Sequence, residues 1–294
     1  AMAYDSNPSG AYTTDPLEGD LDLYLYNSLG TLVASSSGVD SWEIIDYTVP
    51  ADDTYSLYAY NYANSLSPSE STYLGFAWFP GNYVLGTPVE THLTPNSAGH
   101  HYRVDTSSAT DWWAVALQPP LANDYDLYSY QGSAFGNPSE RNQVGESEFG
   151  GDTVEVVVYD RNHAPAGNYY QWASPYLGSG DYRIQRAIMA GELSAGSSIA
   201  TTTPYFVAKV WDVPMTAGLK KYFALVPTSG DADLGMLLFD SDPATSATWY
   251  QDRGDEVKSV DYAGAGGTEY FTYTASVSDT MGLVIVNNPG QTTD

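Results

Sequence analysis

The stretch Asp20-Leu21-Asp22-Leu23-Tyr24-Leu25-Tyr26 decides the fold class. Side chains of an extended chain point alternately to its two faces, so Leu21, Leu23 and Leu25 share one side while Asp20, Asp22, Tyr24 and Tyr26 share the other. That alternation predicts a half-buried strand with its leucines inward and its carboxylates and tyrosines outward. The Asp-x-Asp-Leu signature recurs at Asp124-Tyr125-Asp126-Leu127 and Asp231-Ala232-Asp233-Leu234, at a spacing of roughly 105 residues that marks an internal repeat.

Working outward from these anchors, aromatic and β-branched runs alternate with Gly, Pro, Ser, Asn and Asp clusters. Strands are expected upstream of the second and third anchors at 111–117 and 221–226. Others are expected downstream at 55–62, 73–78, 153–159, 182–188, 270–273 and 281–286. The segment 182–193 is the best helical candidate, yet it lacks a sustained 3.6-residue period and reads equally as a strand followed by a linker. Turn-rich stretches at 86–88 and 190–197 suggest three modules, residues 1–88, 89–189 and 190–294. The expected architecture is all-β, three tandem jelly-roll-like β-sandwiches. No matching strand is evident before the first anchor, so an edge from residues 11–14 or a truncated module is expected there.

The 26 tyrosines and seven tryptophans suit pleated, half-buried surfaces. With 36 acidic residues against 10 basic, the formal net charge of −26 opposes binding to nucleic acid and to anionic lipid. Charged residues make up only 16% of the chain, so the imbalance comes mainly from scarce Lys and Arg. The absence of Cys excludes disulfides, thiolate metal sites and cysteine nucleophiles. No apolar run reaches the length of a membrane span, so no membrane insertion is expected, and Ala1-Met2-Ala3 reads as an expression remnant rather than a signal peptide.

The first repeat, through Gly30-Thr31-Leu32-Val33-Ala34-Ser35-Ser36, Glu43-Ile44-Ile45, Val49-Pro50-Ala51, Thr54-Tyr55-Ser56-Leu57 and Tyr73-Leu74-Gly75-Phe76-Ala77-Trp78, resembles the bacterial pre-peptidase C-terminal domain. Asp111-Trp112-Trp113 and the strand through Tyr130 are similar to the same family, and the third repeat is so more faintly. The resemblance implies a jelly-roll-like sandwich that follows the catalytic domain of a secreted subtilisin-like protease, exported to the cell exterior or surface. It also implies frequent removal during maturation and, in some relatives, calcium or collagen binding.

Two outward aspartates in each motif, Asp20 and Asp22, Asp124 and Asp126, Asp231 and Asp233, could begin a calcium site, since that ion collects oxygen ligands. Equally, they could bond loop amides or solvate a strand end. Asp52-Asp53 and Asp240-Ser241-Asp242 read as turn residues. Tyr58, Tyr60 and Tyr62 alternate along one strand and are expected on the same outer face as Tyr24 and Tyr26, where they could stack on sugar, cover a protein ligand, or pad an exposed sheet.

His92, His100, His101 and His163 have no metal-binding or triad spacing, and Glu146 and Glu148 read as solvated loop charge rather than a hydrolytic pair. Glycines at 178–180 and 264–267 read as turns. The expected function is a non-catalytic accessory segment of a secreted hydrolase, a protease by the resemblance, that aids stability, maturation or attachment to substrate or surface and has the upstream catalytic domain of the same chain as its partner. The alternative is a cell-surface adhesive or spacer array that binds polysaccharide or matrix protein. Calcium is the one cofactor the motifs suggest.

Overall fold

A computed structural model describes residues 2–5, 21–37, 42–43, 45, 47, 49–62, 73–76, 88–93, 99–106, 111–132, 143–161, 164, 166–200, 206–227, 232–241 and 250–288. The protein is all-β, with no α-helix among the described residues.

The first repeat contains β1 (Met2–Asp5), β2 (Leu21–Tyr26), β3 (Leu32–Ser36), β4 (Trp42–Glu43), β5 (Ser56–Asn61) and β6 (Tyr73–Phe76). They form two three-stranded antiparallel sheets, β3-β2-β5 and β4-β1-β6. Met2 and Ala3 pair with Phe76 and Gly75, and β1 is the central strand of the second sheet. The 11–14 edge lies outside the described residues. Leu21 and Leu23 are buried with Ile45 packed against them, as the alternation required. The β2–β3 turn is clasped by Asn27, whose side-chain oxygen accepts from the amides of Leu29 (3.1 Å) and Thr31 (2.9 Å). Gly30 takes the left-handed conformation (φ 75°) that closes it.

The second repeat comprises β7 (Val89–Leu93), β8 (His100–Thr106), β9 (Trp113–Gln118), β10 (Asp124–Gly132), β11 (Gln143–Ser147), β12 (Glu155–Tyr159), β13 (Gly167–Leu177) and β14 (Gly180–Glu192). The third comprises β15 (Ala208–Met215), β16 (Lys220–Leu225), β17 (Leu234–Phe239), β18 (Tyr250–Asp252), β19 (Lys258–Val260), β20 (Glu269–Thr274) and β21 (Asp279–Asn287). The segment weighed as helix or strand is β14. A four-stranded sheet, β11-β10-β13-β8, faces the strands β12, β9, β14 and β7 across a core containing Tyr125, Leu127, Tyr169, Trp113, Leu117 and Ile184. Trp113 stacks on Tyr159 with ring centroids 3.5 Å apart, and Gln171 satisfies buried hydroxyls by donating to Ser129 (2.9 Å) and Tyr159 (3.0 Å).

The nine-stranded sheet crosses from the second repeat into the third, in the order β18-β12-β9-β14-β15-β21-β17-β19, with β7 beside β14. The junction is the parallel pair β14·β15. Its two halves fold face to face over a shared core of Trp112, Ala114, Ala116, Val156 and Val158 from one side and Val210, Leu237, Phe239, Val284 and Val286 from the other. This is why β9 and β12 are buried on both faces and read as unbroken apolar runs rather than alternating ones. The Trp112 indole donates to the Thr280 carbonyl (2.9 Å), and a Cβ at Gly282 would lie 2.6 Å from its ring. Arg161 pairs with Asp212 across the same junction. The two-stranded sheet β16·β20 covers the third core through stacked Phe223 and Phe271 (4.9 Å).

Candidate functional site

The ladder of β2 with β5 sets Asp22 opposite Tyr60, Tyr24 opposite Tyr58 and Tyr26 opposite Ser56. Residues directly opposite one another share a face, so Tyr24, Tyr26, Tyr58 and Tyr60 lie together. Tyr24 meets Tyr60 edge to face at 6.0 Å, and Tyr26 meets Tyr58 likewise at 5.3 Å. Tyr62 continues the alternation beyond the end of β5. Tyr58, Tyr60 and Tyr62 are 57%, 54% and 54% exposed, whereas Tyr24 and Tyr26 are half-buried beneath them. Leu57, on the opposite face, is exposed as well, so β5 is open on both sides.

Asp22 departs from expectation. It lies on the tyrosine face, yet it is only 2% exposed and accepts a hydrogen bond from the Tyr24 hydroxyl at 2.9 Å. Strand alternation assigns a side chain to a face but not to a depth. Burial, and then the bond to Asp22, push the Tyr24 hydroxyl up to about 12. The described residues beside Asp22 are tyrosines, Tyr60 opposite it and Tyr24 bonded to it. Asp20 and Asp231 lie outside the described residues. Asp53 does what a turn residue does, accepting from the amides of Thr54 (2.7 Å) and Ser28 (3.3 Å); a bond from the Ser28 side chain, and then the Thr54 amide, hold its carboxyl below the usual value.

The second motif repeats the hydroxyl–carboxylate arrangement. Asp126 is buried, and Tyr128, two residues on along the same face, donates toward it at 3.5 Å and to Glu148 at 2.5 Å. Burial, followed by Glu148 and Asp124, pushes the Asp126 carboxyl up to about 7. Asp124 is raised by burial as well.

Around this pair the fold gathers carboxylates that are far apart in sequence. Glu155, held by Ser147 and by the Phe149 amide (3.0 Å), is raised to about 8 by its burial. Asp252 is raised to about 7 by burial and by Asp255, with Glu146 and Glu148 also contributing. Glu146 and Glu148, expected as solvated charge, are exposed, but they belong to this cluster. In the third motif Asp233 is raised by burial, Asp261 and Glu269. Among the described residues no group of three or more His, Asp or Glu side chains is arranged to hold a metal ion.

His92 contacts exposed Asp181 at 2.7 Å. His100 meets the Tyr182 hydroxyl at 2.7 Å, and His101 lies buried and stacked on Trp172 at 5.6 Å. Burial lowers the basicity of His100, and that of His101 far more. His163 lies outside the described residues.

No protein-family model matches the chain, and neither does any curated protein. Among solved structures it is similar to the PBSX exported protein XepA, with a TM-score of 0.24 and 11% identity over 71% of this chain and 88% of that one. It is also similar to tripeptidyl peptidase 2, with a TM-score of 0.27 and 9% identity over 99% of this chain and 32% of that one. At these scores neither likeness carries fold or function over to this chain.

Proposed function

We propose that this chain is a non-catalytic accessory segment of an exported hydrolase, of the pre-peptidase C-terminal kind, acting outside the cell or at its surface. In this reading it attaches an upstream catalytic domain to polysaccharide or matrix protein. The observation that carries the proposal is the row of tyrosines on β2 and β5, because exposed rings aligned on a strand face offer apolar area together with hydroxyl groups. The net charge of −26 favours neutral partners over anionic ones.

The test is pull-down of the chain on insoluble cellulose, xylan, chitin and starch and on collagen, with the Tyr58→Ala/Tyr60→Ala double variant alongside. Retention on one of these matrices that the double variant loses by at least tenfold, with Tm unchanged, supports the reading. Retention on none of them, or equal retention of both proteins, overturns attachment through this face. A spacer array is the second reading, favoured by the core that the second and third repeats share, which joins them into one stiff unit. A spacer binds none of these matrices.

A further inference from the structure

The third repeat carries an outward tyrosine surface of its own. In the β16·β20 pair Phe223 and Phe271 turn inward, so the residues alternating with them, Lys220, Tyr222 and Ala224 on one strand and Tyr270, Thr272 and Thr274 on the other, face solvent. Tyr222 stands opposite Thr272 and Ala224 opposite Tyr270, which makes the two tyrosines diagonal neighbours. Tyr262 adds a third ring, edge to face with Tyr270 at 6.1 Å. Tyr222, Tyr262 and Tyr270 are 80%, 64% and 63% exposed, beyond what the packing of the third core requires.

The loop that presents Tyr262 is fixed rather than draped. Buried Glu269 accepts from the amides of Tyr262 (2.9 Å) and Ala263 (2.5 Å). Glycine at 267 permits the close return of the chain, since a Cβ there would lie 2.6 Å from the Ala263 carbonyl oxygen. Rings held in place before a ligand arrives lose little freedom on binding.

None of the six outward strand residues is a carboxylate, in a chain where acids outnumber bases 36 to 10. A strand surface without a carboxylate, built from rings, threonine hydroxyls and one ammonium, fits a neutral polymer that presents C–H faces and hydroxyls along its length. Protein interfaces instead concentrate their affinity in a few fully desolvated anchors, whereas here open rings and threonine hydroxyls are spread along the strand pair.

We propose that the Tyr222, Tyr262 and Tyr270 surface is a second binding site for neutral polysaccharide, which makes the chain bivalent. This rests on the reading of the Tyr58 and Tyr60 face given above. Two sites on one chain raise retention on a polymer by roughly 10²–10⁴-fold over either alone, provided both reach it together.

Calorimetric titration of the full chain with cellohexaose, xylohexaose, chitohexaose and maltohexaose tests this. The expected result is two sites per chain for one of these sugars, falling to one in Tyr222→Ala/Tyr270→Ala and to one in Tyr58→Ala/Tyr60→Ala, with per-site affinity unchanged. Both pairs are exposed, so an unmoved Tm confirms that each variant is folded. A single site abolished by Tyr58→Ala/Tyr60→Ala and untouched by Tyr222→Ala/Tyr270→Ala overturns the second surface and leaves the first reading standing. A single site abolished only by Tyr222→Ala/Tyr270→Ala overturns bivalence and the first face together. Absence of binding to all four sugars overturns polysaccharide binding at both.

Discussion

Replacing Asp126 with Asn should make the protein more stable at pH 8 while changing little at pH 4. Asp126 is withdrawn from water beside Glu148 and Asp124, and its carboxyl is pushed up to about 7 from the usual 3.8. A folded-state value above the unfolded one means that the native protein binds this proton more tightly. The stability it contributes is therefore complete below about pH 4 and is lost as pH rises through 7. At 1.36 kcal/mol for each pH unit the loss is on the order of 4 kcal/mol for Asp126 taken alone. Because Glu155 and Asp252 titrate in the same range, this figure is a ceiling for any one member.

Asparagine keeps an acceptor for Tyr128 and removes the charge. Urea unfolding at pH 4, 6 and 8 should show wild-type stability falling toward pH 8, with Asp126→Asn flattening the fall and gaining on the order of 1–4 kcal/mol at the alkaline end. Asp52→Asn, in an exposed turn, removes the same charge from the whole chain and serves as the control for general self-repulsion. If Asp126→Asn loses stability at pH 8, or if the control flattens the profile equally, the buried-cluster reasoning is refuted.

Gly282→Ala should destabilise the second and third repeats together by ~1–3 kcal/mol, because the new methyl collides with the Trp112 ring; calorimetry showing an unchanged transition would mean that this contact is absent. Asp22→Asn should cost ~1–3 kcal/mol by weakening the bond from the Tyr24 hydroxyl, and calcium and magnesium should raise Tm equally in both proteins. A calcium-selective rise that the variant loses would assign calcium to the motif.

The strands were legible where alternation or an apolar run was clean. The Asp-x-Asp-Leu anchors lie on or beside β2, β10 and β17, and the alternating tyrosines of β5 landed on the face of Tyr24 as expected. The same rule applied to Lys220 through Leu225 would have singled out Tyr222. What alternation could not supply was depth: it puts Asp22 on the outer face and says nothing of its burial.

Nor could local pattern bring Glu146 and Glu148 to Asp252, since the pairing of β12 with β18 sets the third repeat at the acidic edge of the second. The double-sided burial of β9 was written in Trp112-Trp113-Ala114-Val115-Ala116-Leu117, whose apolar residues on both faces imply a layer on each side. The identity of the second layer depended on the parallel pairing of β14 with β15, which no short-range signal announces.

That pairing also changes what a cut in the chain would mean. Residues 194–200, between β14 and β15, lie exposed, as a maturation protease would require. Yet the pieces on either side of such a nick are gripped by a ladder, by an indole lodged against a glycine and by a common apolar layer. Scission there would sever a covalent bond without shedding anything. The second and third repeats would travel on as a two-chain body, and release of the tail would need a cut elsewhere.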